Sequence, residues 1–237
     1  MVYIIGHGGA PSPDAPENTI ESFEKAIEIF KTAAVSAFIE LDIHLSKDGK
    51  MVVIHGSDLT EATEGSVRGY VREFTLRKLQ NIMIWGGSRI PTLRKVLELN
   101  FPVMIELKAG QNDKIYPNLV GKAVKLLEDL KFTKEVIFIS FYPEYLIELK
   151  KFPRFKKMFL SKTFPDLGSL KDFGLYGLGI RYNSLNQENI RLAHEKGLKV
   201  FAWTVNREDD IREVIDWGVD YICSDDPVLV KKIAAEK

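Results

Sequence analysis

The sequence predicts an α/β protein, a closed (β/α)8 barrel of the TIM type with a small excursion after the second strand. Short β-branched runs alternate about eight times with longer amphipathic stretches, the pattern of repeated βα units. The short runs are apolar almost throughout, as strands buried on both faces must be. A chain of 237 residues, 45% of them hydrophobic, can bury one large core, and no Ser/Gly/Pro-rich linker divides it. Residues 1–237 are therefore expected to form one domain with an insertion at about 57–90.

The predicted strands are Val2–Gly6, Phe38–Leu45, Val103–Leu107, Val136–Phe141, Met158–Ser161, Gly177–Ile180, Val200–Trp203 and Tyr221–Ser224. After the first strand, Pro16-Glu17-Asn18-Thr19 leads into a helix over Ile20–Phe30, where Ile20, Phe23, Ile27 and Phe30 recur at helical spacing. The second strand is followed by a hairpin-like run, Met51–Ile54. The stretch from His55 to Pro91 is too long for a simple connection; Gly65, Gly69, Gly86 and Gly87 surround one short helical piece near Leu76–Ile82. Asn206 stands as a cap for a helix over Arg207–Trp217, and Pro227 opens the last helix at a position that tolerates proline.

Basic and acidic residues balance at 33 each, so there is no electrostatic footprint for nucleic acid or an anionic membrane. A single cysteine, Cys223, permits no intrachain disulfide and points to a cytoplasmic setting. No run is long enough to cross a bilayer or to serve as a signal-peptide core. No heptad or apolar stripe selects an oligomeric partner surface.

Catalytic groups in such barrels come from the C-terminal ends of the strands. Glu40 and Asp42 are two apart on the second strand, so both face one side, opposite the apolar Ile39, Leu41 and Ile43. Glu106 adds a third carboxylate from the next core strand. Ionised carboxylates in low dielectric need a partner or a metal, and three hard oxygen donors favour Mg²⁺ or Ca²⁺ over zinc. A salt-bridged interior using Lys108 and Arg181 fits the same spacing equally well. His7 and His55 end strand-like runs and are candidates for general acid and base. Lys108 shares the face of Glu106 and can hold a phosphate oxygen, with Lys162 or Arg181 as helpers. Trp203 is an apolar wall for a substrate or a piece of core. His44 shares the parity of Glu40 and Asp42 and could neighbour a metal, whereas His194, in Ile190–Lys196, is expected on the surface. Gly8 and Gly9 permit close backbone approach.

In their order along the chain, these motifs resemble the glycerophosphodiester phosphodiesterase family. The resemblance rests on His7, Pro16-Glu17-Asn18-Thr19, Glu40-Leu41-Asp42, Lys47-Asp48-Gly49, Val52-Val53-Ile54-His55, Pro91-Thr92-Leu93 and Ile105-Glu106-Leu107-Lys108. It continues through Ser140-Phe141, Trp203-Thr204-Val205-Asn206, Gly218-Val219-Asp220 and Ser224-Asp225-Asp226-Pro227. It implies metal-dependent hydrolysis of small-molecule glycerophosphodiesters to glycerol 3-phosphate and an alcohol. Glu40, Asp42 and Glu106 would bind one divalent cation (Mg²⁺, Ca²⁺ or Mn²⁺), His7 and His55 would move protons, and Glu17 and Lys108 would line the substrate site. Two positions depart from the family pattern: Gly8 stands where the family has arginine, and Gly56 where it has aspartate, with Asp58 two residues on. Lys108 is expected to take over phosphate neutralisation. The alternatives are a lysophospholipase D, with Ile82, Met83, Ile84 and Trp85 as a lip for an acyl tail, and a non-catalytic barrel that binds phosphorylated ligands.

Overall fold

A computed structural model describes residues 2–31 and 36–236. Nine strands follow one another as β1 (Tyr3–Gly6), β2 (Ala37–Leu45), β3 (Met51–Val53), β4 (Val103–Leu107), β5 (Val136–Ser140), β6 (Lys156–Ser161), β7 (Gly177–Arg181), β8 (Lys199–Trp203) and β9 (Tyr221–Ser224). All but β3 are parallel, in the order β1-β9-β8-β7-β6-β5-β4-β2, and β2 pairs back onto β1 to close the barrel. The expected (β/α)8 barrel is therefore the observed fold. The short β3 runs antiparallel to the end of β2, with Ile43 opposite Val53 and Leu45 opposite Met51.

Strand parity divides the core in two. Ile39, Leu41 and Ile43 on β2 join Val103, Ile105 and Leu107 on β4 in a layer beneath the outer helices. The alternate residues fill the barrel: Ile5, Phe38, Met104, Ile137, Ile139, Met158, Leu160, Phe201, Tyr221 and Cys223 form one buried cluster. Continuing each strand upward by two residues leads from core to site: Ile5 to His7, Phe38 to Glu40 and Asp42, Met104 to Glu106 and Lys108, Phe201 to Trp203.

One connection differs from the predicted rhythm. The segment between β6 and β7 carries only the 3-10 turn Lys171–Phe173 and no α-helix among its described residues. Strand β6 also starts at Lys156, before the apolar run, because Lys156 and Lys157 pair with Ile137 and Phe138 of β5; the Lys156 ammonium sits 4.5 Å over the Tyr176 ring. The excursion behind β3 packs a cluster of its own from Val52, Ile54, Leu59, Val71, Leu79, Ile84 and Ile90. Ile84 is thus interior and not an outward lip, whereas Met83 is 57% exposed.

The inward face of β7 carries no side chain at Gly179. A Cβ there would lie 2.4 Å from Leu160 Cδ2 and 2.7 Å from Phe201 Cδ1. Gly179→Ala is expected to destabilise the protein by about 1–3 kcal/mol through overpacking; a urea midpoint equal to that of the parent would contradict this.

Candidate active site

The site stands at the C-terminal mouth of the barrel, where Glu40, Asp42 and Glu106 bring ligand oxygens within 4.8 Å of one another. Each is fixed from a different part of the chain. The Gly8 amide donates to Glu40 Oε2 at 3.1 Å. Asn18 grips Asp42 twice, its Nδ2 donating to Oδ2 at 2.8 Å and its Oδ1 accepting from the Asp42 amide at 3.0 Å. Lys108 Nζ lies 3.1 Å from Asp42 Oδ1 and 2.9 Å from Glu106 Oε1. Lys108 meets both oxygens as an ion pair, and neither accepts a well-angled hydrogen bond from any donor.

Gly8 adopts a left-handed conformation, φ +53, and a Cβ on it would stand 2.7 Å from Glu17 Cβ. Its carbonyl accepts from the Asn18 amide at 2.9 Å and from Ser22 Oγ at 2.9 Å. Glycine thus lets the β1 loop lie against the 16–19 run, which sends Asn18 to Asp42 and Glu17 toward His55, with Glu17 Oε1 3.4 Å from His55 Nδ1.

His7 Nδ1 contacts Asp225 Oδ1 at 2.7 Å, and Asn206 Nδ2 donates to Asp225 Oδ2 at 2.5 Å. The His7 and His55 rings face each other edge-on with centroids 6.4 Å apart. Behind them, His44 Nε2 donates to the His55 carbonyl at 3.1 Å and Nδ1 accepts from Tyr116 Oη at 3.1 Å, the tautomer these partners require. The Tyr116 amide donates to Tyr145 Oη at 2.6 Å, and Tyr145 Oη donates to the Lys108 carbonyl at 3.1 Å. A continuous polar chain therefore ties the backbone of His55 to that of Lys108. A cavity of about 210 Å³ opens between these groups. Its polar side is His7, Glu40, His55, Glu106 and Lys108; its apolar side includes Phe141, Leu160, Phe201 and Trp203.

The charges are strongly coupled. Burial, then repulsion from Asp42, pushes Glu40 up to about 8. Burial also raises Glu106, against the pull of Lys108. Asp42 is held below the usual carboxylate range because Lys108, His55, His7 and the Asn18 hydrogen bond together outweigh its burial. Burial works against a charge on His7, but the Asp225 hydrogen bond and the nearby carboxylates overcome it and push the imidazole up to about 10. Hydrogen bonding to Glu17, then Asp42, raises His55. Burial pulls His44 down to about 4. A cluster that holds a carboxyl protonated near neutrality is short of positive charge. With two acceptor oxygens unsatisfied and an all-oxygen donor set, Glu40, Asp42 and Glu106 fit a hard divalent cation.

The sequence pattern of the glycerophosphoryl diester phosphodiesterase family matches residues 7–229. The chain belongs to that family. It is 34% identical to the glycerophosphodiester phosphodiesterase of Caldanaerobacter subterraneus subsp. tengcongensis, over 94% of each chain. It is 30% identical to that of Bacillus subtilis, over 98% of this chain and 86% of the relative. The crystal structure of glycerophosphodiester phosphodiesterase from Thermotoga maritima superposes with a TM-score of 0.78 at 30% identity, covering 98% of both chains. Membership in the glycerophosphoryl diester phosphodiesterase family makes this enzyme a phosphoric diester hydrolase.

Within this family member, the structure brings His7, Glu17, Glu40, Asp42, His55, Glu106, Lys108 and Trp203 to one mouth. Three expectations change. His44 is outside the carboxylate cluster and braces the His55 backbone instead. Arg181 is exposed, so the salt-bridged alternative is carried by Lys108 alone, and neither Arg181 nor Lys162 lines the cavity. Asn206 does not cap the following helix, Glu208–Trp217; its side chain holds Asp225, and Arg207 takes the cap position without a side-chain bond. His194 is at the surface as expected, paired with Asp220. Asp225, Asn18, Tyr116 and Tyr145 were not singled out from sequence; the one signal available was the recurrence of Asn18 and Asp225 inside the motifs that carry the resemblance.

Two outcomes follow from these environments. His44 binds a proton less readily folded, at about 4, than unfolded, at 6.5. Between those values the unfolded state takes up the proton, so stability rises with pH across this window and is lost as pH falls from 6.5 toward 4. The stability present above this window and lost below it is roughly 3 kcal/mol. Denaturant melts from pH 7 to 4 should show a flatter profile for His44→Gln; superimposable profiles would refute it. Asp225→Asn should bring the His7 titration down from about 10 by roughly 1–3 pH units, read by NMR of the chelator-treated protein; an unmoved titration would contradict the assignment.

Proposed function

We propose that this protein hydrolyses glycerophosphodiesters to glycerol 3-phosphate and an alcohol, with His7 and His55 as the proton-transfer pair and Glu40, Asp42 and Glu106 as the ligands of one divalent cation, Mg²⁺, Ca²⁺ or Mn²⁺. The observation that carries the reading is the pair of imidazoles 6.4 Å apart across a cavity whose wall includes two of the three clustered carboxylates. Phosphodiester cleavage needs one group to accept a proton from the attacking hydroxyl and another to supply one to the departing alkoxide. A bound dication would polarise the phosphoryl group and offset its charge.

In this scheme Asp225 fixes Nδ1 of His7 and keeps the ring protonated, so its Nε2–H protonates the leaving alcohol. His55, aligned by Glu17, accepts the proton of the glycerol hydroxyl next to the phosphate as that oxygen attacks phosphorus. The phosphorus bond to the alcohol breaks, and a cyclic glycerol phosphate remains. His7, now neutral, then takes a proton from water as it opens the ring, and His55 returns its proton to the glycerol oxygen, which restores both residues. Lys108 steadies the phosphate charge from the polar wall of the site. We further read residues 1–237 as one domain with an insertion at about 57–90, working in the cytoplasm on a small-molecule substrate; no helix among the described residues is long and apolar enough to cross a membrane.

Chelator-treated protein should release glycerol 3-phosphate from glycerophosphoethanolamine or glycerophosphocholine only after a divalent cation is added back, and His7→Ala should lose about 10²–10⁴-fold in kcat. Metal-independent turnover, or an unimpaired His7→Ala, would overturn the scheme. Cleavage confined to acylated substrates would mark a lysophospholipase D, and no turnover on any substrate a phosphate-binding barrel. Lys108→Ala should raise KM for the same substrates; unchanged kcat and KM would remove Lys108 from phosphate binding.

A further inference from the structure

Three buried side-chain atoms among the described residues have no hydrogen-bond partner: Asp42 Oδ1, Glu106 Oε1 and Trp203 Nε1. Buried polar groups are almost always paired, so each exception calls for a cause. The first two are acceptors in the carboxylate cluster and are accounted for by a cation. The third is a donor. An indole N–H can only donate, and nothing in the protein receives its proton.

Trp203 ends β8, which stands directly across the barrel from β4, the strand that carries Glu106 and Lys108. Three strands separate the two on either side. The indole lines the same 210 Å³ cavity as His7, His55 and Lys108. Its plane is fixed by Phe141, whose ring meets it at 89° with centroids 5.5 Å apart. A ring is at best a weak acceptor, which an anionic oxygen outcompetes. Of the neighbouring donors, the Gly8 amide is committed to Glu40 and His7 Nδ1 to Asp225, while Lys108 Nζ, ion-paired with Asp42 and Glu106, stands on the opposite wall.

We propose that the Trp203 indole N–H donates a hydrogen bond to a non-bridging phosphoryl oxygen of the bound substrate. A tetrahedral phosphate held on the β4 side directs another oxygen across the mouth, toward β8. Trp203 is then more than an apolar wall: it orients the phosphodiester and offsets charge that grows on that oxygen as the bond breaks. This assignment rests on the phosphodiester reading above for its substrate, but its central test does not need turnover.

The test compares the parent with Trp203→Phe, which keeps a ring and loses the donor, and with 3-benzothienylalanine at position 203, which replaces only the N–H by sulfur. Binding of inorganic phosphate and of sn-glycerol 3-phosphate to the metal-loaded protein is read by calorimetry, kcat/KM on glycerophosphoethanolamine by product release, and stability of the free protein by urea melts. Both replacements should weaken both ligands, and lower kcat/KM, by about 10- to 100-fold, the usual worth of a hydrogen bond to a charged group. The free benzothienyl protein should be as stable as the parent, since no bond is lost there. A purely structural role would show the reverse, lower stability with unchanged phosphate affinity, and would overturn the proposal. So would weakening confined to glycerol 3-phosphate, which would move the acceptor to a glycerol hydroxyl. Trp203-dependent phosphate binding in a protein that cleaves no phosphodiester would leave this assignment standing and retire the hydrolytic reading.

Discussion

Glu40, Asp42 and Glu106 stand within 4.8 Å of one another, and none is more than 7% exposed. Charge density of that kind is among the costliest things a protein interior can hold, and most of the unusual features at the barrel mouth offset it. Gly8 turns left-handed so that its amide can reach Glu40. Asn18, also at positive φ, gives both ends of its amide to Asp42. Lys108 rises from the strand that carries Glu106 and places its ammonium between two of the three. The compensation stops short of completion: Glu40 sits up at about 8, and two oxygens lack donors. An interior optimised for stability alone would have removed one of these carboxyls, and the shortfall is what a cation, on the proposed reading, would offset.

Surrounding this cluster is a support that keeps its members from relaxing apart. The chain His55 carbonyl, His44, Tyr116, Tyr145, Lys108 carbonyl links the loop after β3 to the end of β4 through buried or half-buried groups. His44 is neutral there because burial depresses it to about 4, and a neutral ring can serve one acceptor and one donor at once. Asn206 and Asp225 do the corresponding work for His7 across the seam where β9 closes onto β1. The two imidazoles are thereby held from behind by separate networks.

Period-two parity made much of this legible in the sequence. Glu40, Asp42, Glu106 and Lys108 could be placed on one face of two strands because a carboxylate or lysine inside an apolar run has nowhere else to point than along the barrel axis. The partners of those groups were not legible by the same rule. Asp225 meets His7 over a separation of 218 residues, and Asn18 reaches Asp42 from a loop; neither contact leaves a local periodicity. Asn206 misled in a specific way. An Asn before an amphipathic helix is a cap by local rules, but the side chain is claimed by Asp225, Ser224 and the Asp225 amide, so tertiary bonds displaced the local one. After β6 the alternation of strand and helix fails, and the described residues before β7 hold only the 3-10 turn Lys171–Phe173.

The division of the mouth into two halves has a structural origin in the strands themselves. On the β1, β2 and β4 side the inward positions above the core are His7, Glu40, Asp42, Glu106 and Lys108; on the β5 to β9 side they include Ile139, Phe141, Leu160, Trp203 and Cys223. Gly179 leaves β7 without bulk at the level where Leu160 and Phe201 meet, so those two side chains close the floor and the open volume lies above them. A ligand that enters this space must set its charge against one wall and its carbon skeleton against the other. The donor left over on the apolar wall, Trp203 Nε1, is the single polar feature among those five side chains apart from the buried thiol of Cys223, which burial holds well above its usual range and therefore neutral. On the proposed assignment, orientation of a phosphodiester needs no large set of contacts: a charged wall, an apolar wall and one N–H would define which way the ligand lies.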